Sequence, residues 1–237
     1  MELKLGFLRA CKNHSCLSHE LIDQILTPLC EHHNVRKPTQ LEELKTFVKE
    51  IDESIGEYNQ TLTFIKHPIK GKEYLVYAKT DATPDSAVGL STLAAVEYQY
   101  FSILLDKIAQ EDDCSIPWTG AYNDLGFEAS AKPPKKNRLQ SLLHKWCEMG
   151  YFLAEDDKIY LGPRSLVEFE FYLLTNHPGT IKKCVLCNNV VLWDIRCASC
   201  QEQIHRDCIH KYLQRRSHCP ACNSLWTTPT RRSRSNS

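Results

Sequence analysis

The apolar positions of this chain fall into two successive blocks of helical spacing, each closed by two short runs in which apolar and polar residues alternate. In the first block, Leu21, Ile22, Ile25, Leu26 and Leu29 recur at the three- and four-residue intervals that line one helix face. Ser18 stands where a side-chain oxygen would satisfy the first free N–H groups, which predicts a helix over 18–33. After Pro38, Thr39 and Glu42 have the spacing of a capping box that opens a second helix through Leu44, Phe47, Val48 and Ile51. Alternation then takes over. Thr61 to Ile65 and Glu73 to Tyr77 read as the strands of a hairpin around a turn at Pro68 to Gly71.

The second block comes after a loop-like stretch from Thr80 to Ser86. One helix is predicted to carry Leu93, Val96, Tyr100, Ile103, Leu104 and Ile108, and a further one Leu139, Leu142, Leu143 and Trp146, ending at Gly150. Tyr151-Phe152-Leu153 and Lys158 to Leu161 then flank an acidic turn at Glu155, Asp156 and Asp157. Helices followed by a hairpin is the order of a winged helix, and two in tandem fit the length. The reading is an α+β, mainly helical chain with winged-helix domains at 1–82 and 83–180.

From 181 to 228 the helical apolar period stops and cysteines take its place. Cys184, Cys187, Cys197, Cys200, His205, Cys208, Cys219 and Cys222 form four close pairs with the histidine fifth, enough for two closed tetrahedral zinc sites. A two-residue spacer lets both members of a pair meet one metal, and the longer gaps let alternate pairs interleave as a cross-brace. That places Cys184, Cys187, His205 and Cys208 on one zinc, and Cys197, Cys200, Cys219 and Cys222 on the other. So short a segment buries little apolar surface, and metal binding supplies most of its folding free energy, on the order of 10 kcal/mol per site. Residues 229–237, with Arg231, Arg232 and Arg234, are predicted to be a disordered basic tail.

Composition narrows the picture. Of the 237 residues 42% are hydrophobic and 24% charged, with 29 Lys and Arg against 29 Asp and Glu, a balance that argues against a chain coating nucleic acid along its length. No apolar run approaches a membrane span, and the opening MELKLGFLRACKNH lacks a signal-peptide core, so a reducing intracellular compartment is expected. Cys11, Cys16, Cys30, Cys114 and Cys147 are then ordinary thiols. Cys11, His14, Cys16 and His19 straddle a helix start and do not read as a third metal site. His144 and Cys147 share a helix face, a spacing that packing explains better than a nucleophile pair. The basic run Lys132, Lys135, Lys136 and Arg138 reads as a solvated loop that could meet phosphates, but the acidic wing beside it would repel them, so direct nucleic-acid binding is expected to be weak or absent.

The ligand order resembles the RING and PHD cross-brace families. RING ligases place an aliphatic residue between the first two ligands, an aromatic four positions after the sixth and a proline after the seventh, together forming a groove for a ubiquitin-conjugating enzyme; here these are Leu186, Tyr212 and Pro220. PHD fingers place a tryptophan where this chain has Ser217, and many active RINGs end on an arginine or lysine where it has Asn223. Taken whole, tandem winged helices before a variant RING ending Cys219-Pro220-Ala221-Cys222 resemble the non-SMC element one subunits of the structural-maintenance-of-chromosomes five/six complex. The resemblance implies a nuclear, chromosome-associated subunit in DNA repair that pairs with a MAGE-domain protein and a kleisin, with RING-type ubiquitin ligase activity promoted by the MAGE partner. The competing class is a non-enzymatic subunit whose zinc module braces the winged helices or reads chromatin.

Overall fold

The structure, a computed structural model, describes residues 2–67, 71–80, 82–84, 95–122, 134–192 and 195–227. It opens with a helix the hydrophobic pattern does not announce. α1 (Glu2–His14) buries only Phe7 and Cys11, too sparse a face to register as a period. It packs on α2 (His19–His32), where Gly6 leaves room for Leu29, whose side chain lies 3.2 Å from where a Cβ would be. Ser18 caps α2 as expected, its hydroxyl accepting from the Leu21 N–H at 3.3 Å. α3 (Leu41–Ile55) begins slightly later than the Thr39 and Glu42 spacing predicts. It is Glu43 that reaches back, accepting from the Thr39 and Gln40 N–H groups at 3.0 and 3.5 Å. Asp52 on α3 then pins the hairpin by accepting from the Leu62 N–H and the Thr61 hydroxyl at 2.8 and 2.9 Å. β2 (Gln60–Lys66) and β3 (Glu73–Lys79) pair with Phe64 opposite Leu75, and the short β1 (Cys16–Leu17) adds to β3, giving the order β1-β3-β2. Most of the predicted turn at Pro68 to Gly71 lies outside the described residues.

The second unit repeats the plan. α4 (Ala95–Gln110), β4 (Ser115–Pro117), α5 (Lys136–Glu148), β5 (Phe152–Glu155) and β6 (Lys158–Leu161) form it, with sheet order β4-β6-β5. Leu93 and residues 123–133, Lys132 among them, lie outside the described residues. Phe101 is the centre of this core, with the rings of Trp146, Tyr151, Phe152 and Phe169 at 5.1 to 5.9 Å. The acidic wing turn has a backbone cause: Asp156 and Asp157 both adopt positive φ, 48° and 58°, as a two-residue mirror-image hairpin turn requires, and Asp tolerates that region better than most side chains. The basic run is corrected in part, because Lys136 and Arg138 begin α5 and do not lie in a loop. Arg138 is engaged by Glu97 at 2.5 Å, and Lys136 sits over the Tyr122 ring.

Two short helices beyond the wing, α6 (Pro163–Glu168) and α7 (Glu170–Asn176), join the units. α6 lies against β3 of the first winged helix. Close approach is built into the glycines here. A Cβ on Gly150, whose φ is +79°, would stand 2.5 Å from Cys16 Cβ, and one on Gly162 would stand 2.3 Å from the Gly150 carbonyl oxygen. Across the same junction the buried His67 places Nε2 2.8 Å from the Leu161 carbonyl. Arg164 and Glu168, 5% and 1% exposed, pair at 2.6 Å, while the Tyr151 hydroxyl donates to Glu168 and its ring stacks under the guanidinium.

The last module is built of β7 (Lys182–Lys183), β8 (Val190–Val191), β9 (Ile195–Arg196), β10 (Gln203–Ile204) and α8 (Arg206–Leu213). It is not a free appendage. Ile181, Val190 and Leu192 enter the core of the second winged helix, Tyr172 and His177 both reach Asp106 on α4, and Thr180 donates to the Ala109 carbonyl. Lys183 pairs with Glu170, and Lys66 at the end of β2 pairs with Asp207 on α8. Between that strand and the module runs a cleft of about 630 Å³. The predicted tail at 229–237 lies outside the described residues.

Candidate metal centre and the surface beside it

Each Cys-x2-Cys pair of the module is made by the same local device. In the first, the Asn188 N–H donates to the Cys184 carbonyl at 2.8 Å, and the Cys184 N–H donates to the Asn189 carbonyl at 2.9 Å. The second repeats it with Gln201, Cys197 and Glu202 at 2.9 and 3.0 Å, and the third with Asn223, Cys219 and Ser224 at 3.0 and 2.8 Å. To close such a knuckle, the residue after the second cysteine must turn left-handed. Asn188, Gln201 and Asn223 have φ of 61°, 60° and 58°. The histidine arrives differently: His205 stands at the N-cap of α8, with Cys208 one turn in.

The three knuckles and the helix start bring the ligand atoms together as two interleaved quartets. Cys184, Cys187, His205 and Cys208 form one, and Cys197, Cys200, Cys219 and Cys222 the other, with the ligand atoms of each within 4.8 Å of one another. Spacing within them fits zinc. A tetrahedron with bonds of about 2.3 Å to sulfur has edges of about 3.8 Å, and Cys197 to Cys222 and Cys200 to Cys219 measure 3.8 and 3.9 Å. His205 turns Nδ1 to the thiols, 3.3 Å from Cys187 and 3.9 Å from Cys208, while its Nε2–H donates to the Val190 carbonyl at 2.9 Å. That second contact fixes the tautomer in which Nδ1 is the free lone pair. Burial works against ionising Cys197, but the Cys200 and Ser199 N–H groups outweigh it and bring the thiol down to about 6. At Cys200 the Glu202 N–H is overcome by burial and by the thiols of Cys222 and Cys197, which push it up to about 12. Four sulfurs so placed lose all their protons together only to a cation. The two clusters are consistent with two zinc ions, and none of these cysteines forms a disulfide.

Among the described residues, the only groups of three or more possible metal ligands are these two. Cys11 is buried in the first core with its thiol pushed up to about 12 by burial, and His19 meets Glu73 at 3.1 Å, so the Cys11 to His19 cluster dissolves into packing. Burial also lifts Cys147 to about 11, while His144 is turned to the Trp118 ring, leaving no nucleophile pair.

The module's own small core holds Cys184, Val191, Ile204 and Ile209, and against it Leu186 and Tyr212 pack half-buried together with Leu213 and Trp226. Neither Leu186 nor Tyr212 belongs to the winged-helix cores, and neither lines the cleft to β2. Val185 and Leu225 on the same module are 47% and 63% exposed. Pro220 is also half-buried, in the third knuckle.

The spacing of the ligands gives no hint of the work done by Asn188, Gln201 and Asn223. Residue type does carry a signal, since asparagine is the side chain after glycine that best accepts left-handed backbone, and it follows two of the three pairs. Replacing Asn223 with valine is expected to cost about 1–2 kcal/mol, because a β-branched side chain clashes there. Asn223→Gly should be close to neutral. Zinc release to a chelator, followed by an absorbing dye, checks this: the valine variant should lose metal earlier than wild type.

These observations define a class: a RING-like zinc module carried on tandem winged helices. Residues 184–222 match the model of the RING-like domain family. The chain is 62% identical over 234 residues to the non-structural maintenance of chromosomes element 1 homolog of Drosophila melanogaster, covering 98% of this chain and 99% of that one. To the homolog of Homo sapiens it is 24% identical over 154 residues, 64% of this chain and 58% of that one. A chain of the solved Nse1-Nse3-Nse4 complex superposes with a TM-score of 0.74 at 21% identity, covering 97% of this chain and 98% of that one, a likeness of fold. The chain belongs to the non-structural maintenance of chromosomes element 1 family.

Proposed function

We propose that this chain is a RING-type ubiquitin-protein ligase subunit of the structural-maintenance-of-chromosomes five/six complex, acting in the nucleus in DNA repair beside a MAGE-domain protein and a kleisin. That the superposing chain was solved within a three-subunit Nse1-Nse3-Nse4 complex supports the two partners. The division is winged helices at 1–82 and 83–180, a variant RING at 181–228 and a basic tail beyond. In this reading Cys184, Cys187, His205 and Cys208 hold the first zinc, and Cys197, Cys200, Cys219 and Cys222 the second. Each zinc is structural: it holds the ligand loops in place and takes no part in transfer. A RING ligase needs no nucleophile of its own, and the raised thiol of Cys147 fits that. It contributes by holding a charged conjugating enzyme in a reactive conformation.

One observation carries the ligase reading: Leu186 and Tyr212 lie on the module's own core, away from both winged-helix cores and from the cleft. Had they been buried under the winged helices, the module would be a brace only. Leu186→Asp is expected to weaken conjugating-enzyme binding by about 2 kcal/mol or more, near thirtyfold, as loss of an interface anchor does. Calorimetric titration against a panel of conjugating enzymes checks it, with zinc content as the control. Unchanged binding with both ions retained would remove Leu186 from the interface.

The non-enzymatic reading rests on Asn223. It lacks the charged fork that many RINGs use to clamp ubiquitin, and its left-handed backbone gives it a structural reason to be there. Activity of the isolated chain is therefore low, partner-stimulated, and raised by Asn223→Arg if that variant keeps both ions.

A further inference from the structure

Charge is not spread evenly along this neutral chain. From Arg206 to Ser237 there are seven Lys or Arg against one acid, Asp207, which leaves twenty-two against twenty-eight in the residues before. The acidic excess thus belongs to the part that holds both winged helices, and the basic excess to the end of the zinc module and the residues beyond it. The structure shows how the described part of that excess is displayed. α8 buries Ile209 and keeps Cys208, Tyr212 and Leu213 half-buried, so at 100° per residue its outward arc carries Arg206, His210, Asp207 and Lys211, all lying away from that core. The arc's acid is already matched: the Lys66 ammonium from β2 binds Asp207. Just past the helix, Arg215 and Arg216 are exposed on a turn fixed by the Arg215 N–H donating to the Tyr212 carbonyl at 3.1 Å. Among the described residues, Lys211, Arg215 and Arg216 enter no ion pair, unlike Arg138 on α5, which Glu97 engages.

We propose that this surface, centred on Lys211, Arg215 and Arg216 with His210 and His218 at its sides, binds the phosphate backbone of duplex nucleic acid. The chemistry favours phosphate over an acidic protein. Gln214 and Ser217, which flank the two arginines, are exposed and polar, while Tyr212 and Leu213, between Lys211 and Arg215, pack half-buried on the module's core, so the exposed cations stand on a polar strip and not on the apolar centre that protein interfaces rest on. Cations alone suffice for phosphate, because each neutralised phosphate releases condensed counterions. Arginine presents a planar fork that meets two phosphate oxygens at once. Lys211 lies in the last turn of α8 and the two arginines just past its end, so the three long side chains start from different points and can serve different phosphates, spaced about 3.4 Å along each strand. This moves the expected site of residual nucleic-acid contact from the basic run Lys132, Lys135, Lys136 and Arg138 of the second winged helix to the zinc module, and does not depend on the ligase reading.

The test uses the full zinc-loaded chain and a fluorescein-labelled random-sequence duplex, with anisotropy followed from low to physiological salt. The triple variant Lys211→Glu, Arg215→Glu, Arg216→Glu is expected to lose about tenfold or more in affinity, and its log–log salt slope should flatten by about 2.7, three phosphate contacts' worth. The milder triple Lys211→Gln, Arg215→Gln, Arg216→Gln, checked for two bound zinc ions, should flatten the slope equally. Lys135→Glu, just before α5, with Lys145→Glu on it, should change affinity by less than about twofold. Unchanged affinity and slope in the folded glutamine triple would overturn the proposal. So would equal competition by polyglutamate, which would point to an acidic protein, or by anionic vesicles, which would point to a membrane surface.

Discussion

Replacing Cys197 with alanine is expected to lower the zinc content of the purified chain from two ions to one and to unfold the part of the module built on the second quartet. The site has no substitute for metal. The module's own core is a handful of residues, while a structural zinc contributes on the order of 10 kcal/mol to its small domain. The winged helices should stay folded, because their cores are separate from that quartet. They should not be indifferent, however. Ile181, Val190 and Leu192 cover the second winged helix from the side of the first quartet, so replacing Cys184 in place of Cys197 should also lower the melting temperature of the winged-helix transition. Metal analysis by mass spectrometry with circular dichroism separates the two variants. Two ions in Cys197→Ala would contradict the assignment of that ligand.

The second large effect is expected at the junction of the winged helices. Arg164 and Glu168 are paired in a nearly dry site, so removing one partner leaves the other buried and uncompensated, a loss of about 3–5 kcal/mol. The two single variants should not be equal. Arg164 cannot shed its charge, so Glu168→Leu carries the full penalty. Glu168 can take up a proton, and burial already raises its carboxyl above the ordinary range against the pull of Arg164. In Arg164→Met that rise is larger, since the opposing cation is gone. A carboxyl whose folded pKa lies above its unfolded one favours the folded state below the unfolded pKa, and loses that contribution as pH climbs through the folded value. Arg164→Met should therefore become relatively more stable, compared with wild type, as pH falls from neutral toward 5, whereas Glu168→Leu should show no such recovery. The double variant should restore much of the loss, as replacing a buried ion pair with apolar side chains does. Denaturant midpoints across pH for the four proteins close the cycle.

The zinc quartets and both winged-helix hairpins are legible in the chain because their signals are local: cysteine spacing, helical period, alternation. The Ser18 cap is of the same kind. The elements that escape such reading are long-range or too short to have a period. α1 shows only Phe7 and Cys11 to its core, α6 and α7 span six and seven residues, and the two-residue β1 exists only because β3 is there to receive it. The acidic wing reads along the chain as a repulsive surface, though its two aspartates answer first to the positive φ of the turn. The basic run of the second winged helix reads as a solvated loop, and only the fold shows that its last residues enter α5 and that Glu97 engages Arg138. Asn223 likewise looks like a missing arginine, when the knuckle it closes asks for a left-handed residue. In each case spacing along the chain reports which residue is present, and backbone geometry decides why.

The ligase proposal has the zinc module present Leu186 and Tyr212 to a charged conjugating enzyme. Its most direct measurement is the discharge of ubiquitin from a preloaded conjugating enzyme to free lysine, in single turnover, by the full chain with a MAGE-domain partner. The expected result is slow discharge by the chain alone, acceleration when the partner is added, and loss of that acceleration in Leu186→Asp with both zinc ions retained. Discharge no faster than with buffer across a panel of conjugating enzymes, partner present and zinc in place, would contradict it and leave the module as a brace.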